Sequence, residues 1–237
     1  MSKIKLDKLS VFFPTFNEED NIENTVKKAK AVLNKVVGEW EILIVNDGST
    51  DKTSEISKRL VSDDKRIKLI EHVENKGYGA AFKSGFYGSK YPWIAFTDSD
   101  GQFNFSEIVN FIEKQKQTNA DLVIGYYKDR KVSPSKKITS KMWEFLIFLM
   151  FGLGVRDVDC GFKLVSKSVI DKLPKLESVR GAFISSEFLI KAKKAGFKIV
   201  EIPVTHNPRT LGKGTGRDLK VIVKSFTDLF RLWKKLL

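Results

Sequence analysis

The sequence predicts an α/β domain built on a mainly parallel sheet with flanking helices. Short apolar runs of strand type alternate with helical patterns through the first half, which is how βαβ units read. Several of those runs stop at clusters of Asp, Asn, Ser and Gly, where open α/β sheets bind ligands. Composition agrees. A chain of 237 residues, 42% hydrophobic and 30% charged, is a folded one with enough length to bury a sizeable core.

The elements follow in order. Leu9 to Phe13 reads as a strand and Glu18 to Val37 as a helix. Glu41 to Asn46 is a second strand, with a helix opening near Asp51. Ile67 to Glu71 is a third, followed by a helix that starts in the glycine-rich run Lys76-Gly77-Tyr78-Gly79-Ala80-Ala81. Trp93 to Thr97 is the fourth and Asp121 to Gly125 the fifth. The second half is less regular. Ser135 to Gly154 is an apolar-rich helical stretch whose part from Trp143 to Phe151 is either core or a face resting on a membrane. Gly161 to Val165 reads as a strand, Ala182 to Ala195 as a helix, Lys198 to Val204 as a strand and Asn207 to Gly216 as a loop.

The last twenty residues form a two-sided helix. Leu219, Ile222, Val223, Phe226, Phe230, Trp233 and Leu237 share the apolar face, and Lys220, Lys224, Arg231, Lys234 and Lys235 the other. Such a helix either docks on the domain or lies in an anionic membrane surface. The division expected is a domain over residues 1–217 and a basic helix over 218–237. The formal net charge is +13, and Asn207 to Leu237 carries eight lysines and arginines against two aspartates. Charge alone admits nucleic acid, anionic lipid or phosphorylated small molecules. The lone cysteine, Cys160, excludes an internal disulfide and suits a reducing cytoplasm. The N-terminus lacks the apolar core of a signal peptide. The longest uncharged run, Phe145 to Val155, falls short of the roughly 20 residues that a bilayer requires.

The sharpest chemical signal is Asp98-Ser99-Asp100 at the end of the fourth strand. Side chains alternate along an extended chain, so both carboxylates point to one side. Held that close they repel unless a cation sits between them, and a hard ion such as Mg²⁺ or Mn²⁺, shared with substrate phosphates, suits oxygen ligands. The alternative is a polar turn that caps the next helix. The first strand runs into Pro14-Thr15-Phe16-Asn17-Glu18 and the second into Asn46-Asp47-Gly48-Ser49. Asn17, Asp20, Ser49, Thr50 and Asp51 are ordinary capping residues. Asp47 is not needed for that, and can accept hydrogen bonds from a base or ribose.

PTFNEEDNIE, EILIVNDGSTDKT, NKGYGAAFKSGF and WIAFTDSDGQF, in this order, resemble glycosyltransferase family 2 with its GT-A fold. DVDCGFKLVSKS and EIPVTHNPRTLG are similar to its polyprenyl-phosphate branch, which includes dolichol-phosphate mannose synthases. The resemblance runs from about Val11 to Arg217. It implies an inverting, metal-dependent transfer of a hexose from a GDP-mannose or UDP-glucose type of donor to a polyprenyl or dolichyl phosphate. Pro14, Phe16, Glu18, Val45 and Asp47 would line the nucleoside pocket. Asp98, Asp100 and Gln102 would hold the metal while Ser99 touches the nucleotide. Arg209 would engage phosphates, and Lys76 with its glycine turn would help hold the donor. Relatives typically carry an arginine just after the fifth strand. Here Tyr127 stands there, and Arg130 with Lys128 or Lys131 could grip the acceptor phosphate or simply form a solvated turn.

A phosphate acceptor is largely anionic at neutral pH and requires no strong base. A hydroxyl acceptor does, and Glu187, Asp157 and Asp159 are the candidates, each equally able to be structural. Asp157 lines up with an aspartate of the family's SGF-type motif. Other classes fit less well. A dinucleotide-binding dehydrogenase needs a GxGxxG turn where this chain has Pro-Thr-Phe-Asn-Glu. A nucleotidyltransferase would leave the C-terminal motifs unexplained, and a nucleic-acid module rests on charge alone. The expected setting is the cytoplasmic face of a membrane, with or without a membrane-anchored partner protein, and no nucleic acid.

Overall fold

The computed structural model describes residues 6–128, 134–179, 181, 183–209, 211 and 219–236; for 134–138 and 219–224 it describes the backbone. Seven strands form one sheet: β1 (Leu6–Thr15), β2 (Val37–Asn46), β3 (Ile67–Glu71), β4 (Trp93–Phe96), β5 (Leu122–Tyr127), β6 (Lys163–Ser166) and β7 (Ile199–Val204). Their order is β3-β2-β1-β4-β6-β5-β7. All pairings are parallel except those of β6, which runs antiparallel to both β4 and β5. The C-terminal ends of β1, β2 and β4 therefore share one edge, and their loops face one another.

Helices cover both sides. They are α1 (Ile22–Val36), α2 (Thr53–Asp63), α3 (Tyr78–Gly88), α4 (Ile108–Thr118), α5 (Pro134–Phe151), α6 (Lys167–Lys172), α7 (Phe183–Lys194) and α8 (Leu219–Leu236). Strand alternation sorts the core into two layers. Val11 and Phe13 of β1 join Ile42 and Ile44 of β2 beneath α1, which buries Ile22, Val26, Ala29 and Leu33 at helical spacing. Phe12 points the other way, into a cluster with Phe82, Phe86, Phe96 and Phe188 beneath α3 and α7. A Cβ on Gly85 would come within 2.2 Å of the Phe12 ring, so glycine lets α3 pack flat on the sheet.

Several boundaries differ from those read in the sequence. β1 and β2 begin earlier, at Leu6 and Val37, since their N-terminal halves pair with each other. Conversely, α1 begins only at Ile22 because Asn17, Glu18 and Glu19 are bound sideways to the loop after β2. Asn17 N–H donates to Ser49 Oγ at 2.9 Å, Thr50 N–H to Asn17 Oδ1 at 2.8 Å, Glu18 N–H to Thr53 Oγ1 at 2.9 Å and Lys52 N–H to Glu19 Oε2 at 2.9 Å. The capping-type residues thus lace two loops together. Asn17 takes φ 54° to do so. α4 and α6 are additional to the elements expected from the sequence. The terminal helix is docked: Leu229 and Leu232 lie in the core beside α7, while Phe226 and Phe230 stay exposed.

Candidate active site

The edge formed by β1, β2 and β4 gathers three carboxylates and a guanidinium. Glu18, Asp98 and Asp100 lie close enough to disturb one another electrostatically. Arg209 bridges two of them, with Nη2 donating to Glu18 Oε1 at 2.6 Å and Nη1 lying 3.5 Å from Asp100 Oδ2. Asn21 Nδ2 donates to the other Glu18 oxygen at 2.8 Å. Glu18 is buried, and that burial raises its carboxyl above the ordinary range against the pull of Asn21 and Arg209.

Asp98 is pushed up to about 6, first by burial and then by Asp100; the Tyr78 hydroxyl and Lys163 offset part of this. Tyr78 donates to Asp98 Oδ1 at 3.2 Å. Gly161 lies against the same carboxylate, where a Cβ would sit 2.4 Å from Asp98 Oδ2. Only glycine leaves room for the acid at that point. Behind it, Lys163 is fully buried in β6, and its Nζ donates to Val158 O at 3.4 Å and to Cys160 O. Burial lowers its pKa, while Asp157, Asp159 and Asp98 favour its charge. The ammonium pins the turn on which Gly161 is carried. Burial pushes the Cys160 thiol up to about 12, so this sulfur is packing, not chemistry.

The segment after the acid pair holds Arg209 in place. Gln102 N–H donates to Asp100 Oδ1 at 3.1 Å, and Gln102 Nε2 donates to Asn207 O at 2.8 Å. Asn207 N–H donates to Gln102 O at 2.9 Å, and Phe103 bridges His206 in antiparallel fashion. The amide of Gln102, expected beside a metal, thus joins the acid segment to the arginine loop.

Asp47 is buried and holds a turn. Its Oδ1 accepts from His72 Nδ1 at 2.6 Å and Lys76 N–H at 3.0 Å, and its Oδ2 accepts from Gly77 N–H at 2.8 Å. The other ring nitrogen of His72 meets Ser84 Oγ at 2.9 Å. The Lys76-Gly77 turn, with Gly77 at φ 95°, leads directly into Tyr78, so one chain of contacts runs from Asp47 to Asp98. Ser99 is buried and its hydroxyl donates to Pro14 O at 2.9 Å. Val45 is buried beside Pro14, its partner across the β1–β2 register, while Phe16 is half-buried and the Lys76 side chain is exposed.

The remaining candidates separate. Glu187 sits in α7 with its carboxylate taken up by Glu177 N–H and Ser178 N–H, both at 2.8 Å, and by Lys191 Nζ at 2.6 Å. Burial alone would raise its pKa, but Lys191 and the Ser178 and Glu177 hydrogen bonds outweigh it and hold the acid below its usual range. Asp157 is buried and accepts from Asp159 N–H at 3.1 Å, in the turn that Lys163 holds. Arg130 and Lys131 lie outside the described residues. His72, Gly161 and Lys163 are not among the site residues expected from sequence, and Tyr78 is there only as part of the donor-holding turn. A lysine inside the strand-like run Gly161 to Val165 was the one available signal.

The model for glycosyl transferase family 2 matches residues 10–174. The chain belongs to that family. Among curated proteins, this glycosyltransferase is 28% identical over 207 residues to glycosyltransferase AglD of Haloferax volcanii, covering 85% of this chain and 33% of the relative. It is 30% identical over 237 residues to dolichyl-phosphate beta-glucosyltransferase ALG5A of Trichomonas vaginalis, covering 94% of this chain and 72% of the relative. Among solved structures, glucosyl-3-phosphoglycerate synthase from Mycobacterium tuberculosis, in complex with Mn²⁺, UDP and glucosyl-3-phosphoglycerate, shares the fold. The TM-score is 0.72 over 97% of this chain and 80% of that one, at 19% identity.

The acid pair suits a hard divalent ion. Asp98 and Asp100 offer carboxylate oxygens and a mutual repulsion that a cation would relieve. Among the described residues no cluster of three or more His, Cys, Asp or Glu is placed to hold a metal ion. An ion here would therefore take much of its shell from water and substrate phosphate, as Mg²⁺ commonly does.

The raised Asp98 pKa has a consequence for stability. Native Asp98 keeps its proton to about pH 6, whereas an unfolded aspartate releases it near 3.9. The native state binds more protons between those values, so stability falls as pH rises through them. The loss is about 3 kcal/mol by neutral pH, at roughly 1.4 kcal/mol per unit. Asp98→Asn should raise the metal-free melting temperature at pH 7 and leave it unchanged near pH 4. Equal melting of both proteins at pH 7 would contradict this account of the pair.

Proposed function

We propose that this glycosyltransferase is inverting and metal-dependent, and moves a hexose from a nucleotide sugar of the GDP-mannose or UDP-glucose type to a polyprenyl or dolichyl phosphate. The meeting of Glu18, Asp98, Asp100 and Arg209 at one sheet edge carries the proposal. In this reading the bond between the sugar and the diphosphate breaks as an acceptor oxygen attacks the anomeric carbon from the opposite face. Negative charge gathers on the departing nucleoside diphosphate. A bound Mg²⁺ or Mn²⁺ would supply Lewis-acid neutralisation of that charge. Asp98, Asp100 and Gln102 would hold the ion, with the Gln102 N–H also steadying Asp100. Pro14, Phe16, Glu18, Val45, Asp47, Ser99 and Lys76 would frame the nucleotide. Arg209 would add a charge-assisted contact to phosphate.

The acceptor assignment draws support from the name of the Trichomonas relative and from chemistry. A phosphomonoester is already largely dianionic at neutral pH, so no general base is required. That agrees with Glu187 being committed to Lys191 and two backbone amides. Arg130 and Lys131 would grip the acceptor phosphate. The reaction would take place at the cytoplasmic face of a membrane, with residues 1–217 catalytic and 218–237 on the surface, aided or not by a membrane-anchored partner protein. No described helix is long and apolar enough to cross a membrane.

The test is a donor panel of GDP-mannose, UDP-glucose and UDP-GlcNAc with Mn²⁺ and a polyprenyl phosphate, followed by solvent extraction. Label in the lipid phase from one hexose donor is the expected result. Label confined to water-soluble glycan would transfer the reaction to a hydroxyl acceptor, with Asp157 or Asp159 as the base to examine.

A further inference from the structure

Among the described residues ten large hydrophobic side chains are exposed, and six of them lie on α5 and α8. Met142, Phe145, Phe148 and Leu149 of α5 are 53–70% exposed, and Phe226 and Phe230 of α8 are 42% and 51% exposed. The opposite side of α5 is anchored: Ile147 is fully buried and Trp143 Nε1 donates to Ser186 Oγ at 3.3 Å. The two helices touch beside these stripes, where the Trp143 and Phe226 rings meet edge-on at 5.2 Å. Apolar surface of this kind, carried on two touching helices, marks an interaction site.

Charge identifies the occupant. Lys141, 71% exposed and paired with the largely covered Glu144 at 2.7 Å, opens the α5 stripe. Lys234 is exposed and continues the Phe226–Phe230 stripe at i+4, and Arg231 beside it is 80% exposed, 3.7 Å from the largely covered Asp228. An apolar face bordered by cations complements a bilayer with anionic headgroups. The chain also leads from this surface to the site. The chain leaving α5 passes through Arg156, whose guanidinium stacks 4.6 Å from the Tyr126 ring, into the Asp157–Gly161 turn against Asp98.

We propose that the joined α5–α8 face is where this protein lies on an anionic bilayer, with Phe145 and Leu149 entering the acyl boundary beside the catalytic mouth. The proposal rests on the lipid-phosphate reading for its purpose, and on the exposed side chains for its location. Deleting α8 would not test it, since Leu229 and Leu232 belong to the core. Phe145→Glu/Leu149→Glu changes only exposed positions.

The experiment is co-sedimentation with phosphatidylcholine vesicles, with and without phosphatidylglycerol, alongside titration with a nucleoside diphosphate and Mn²⁺. The double variant should bind vesicles at least about tenfold more weakly while keeping nucleotide affinity and melting temperature. Wild-type protein should sediment better when phosphatidylglycerol is present. Unchanged sedimentation of the variant, or none by the wild type, would overturn the proposal. So would a wild-type dimer that the variant dissociates while neither binds vesicles, because the face would then belong to a second copy. Vesicle binding that depends on Phe145 and Leu149 without any transfer to polyprenyl phosphate would uphold the surface and reject the acceptor.

Discussion

Asp100→Asn is expected to abolish sugar transfer, lowering kcat by about a thousandfold or more. The substitution is nearly isosteric, and an Asn oxygen can still accept the 3.1 Å bond from Gln102 N–H. What disappears is one negative charge from the pair proposed to hold the cation. Lewis-acid stabilisation of a leaving group contributes several kcal/mol, and a tenfold rate change corresponds to about 1.4 kcal/mol, so losing about 4 kcal/mol gives that factor. Steady-state transfer with saturating donor measures it. A companion titration should show the nucleoside diphosphate losing its Mn²⁺-dependent affinity. A variant that transfers sugar at the wild-type rate would remove the metal from the mechanism.

Arg209→Ala should be the next most damaging change, with kcat lowered about a hundredfold. The estimate follows from losing a placed donor to developing charge, which typically costs about 3–4 kcal/mol, discounted because the loop is partly exposed to water. Arg209→Lys should recover only a fraction, since a lysine cannot span Glu18 and Asp100 with one planar fork. Because Glu18 is also proposed to frame the nucleotide, Glu18→Gln separates two explanations when kcat is read at saturating donor. If the arginine matters only for holding the loop, Glu18→Gln should cost as much as Arg209→Ala. If it acts on phosphate, Glu18→Gln should cost far less.

The parts of this site that could be read from sequence are those that obey a local rule. Alternation along an extended strand places Asp98 and Asp100 together, and βαβ order puts the ends of β1, β2 and β4 on one edge. Strand direction is not written in alternation, so the reversal of β6 between β4 and β5 was invisible. With it went Lys163, whose surroundings exist only once β6 lies beside Phe96 and Ile124. His72 was hidden for a similar reason: it meets Asp47 across 25 residues of sequence. For α8 the helical pattern offers an apolar arc wider than the domain covers. Packing alone decides that Leu229 and Leu232 turn inward while Phe226 and Phe230 do not.

One consequence lies in how residues 205–207 are fastened. Thr205 N–H donates to Glu107 Oε2 at 3.0 Å, and His206 and Asn207 are stitched to Phe103 and Gln102. The loop that carries Arg209 and the segment that follows Asp98 and Asp100 are thus mounted on a common frame. Any shift that brings one toward a departing diphosphate must carry the other along or tear those stitches, so the gap between the pocket's positive and negative walls acts as a gauge of fixed width.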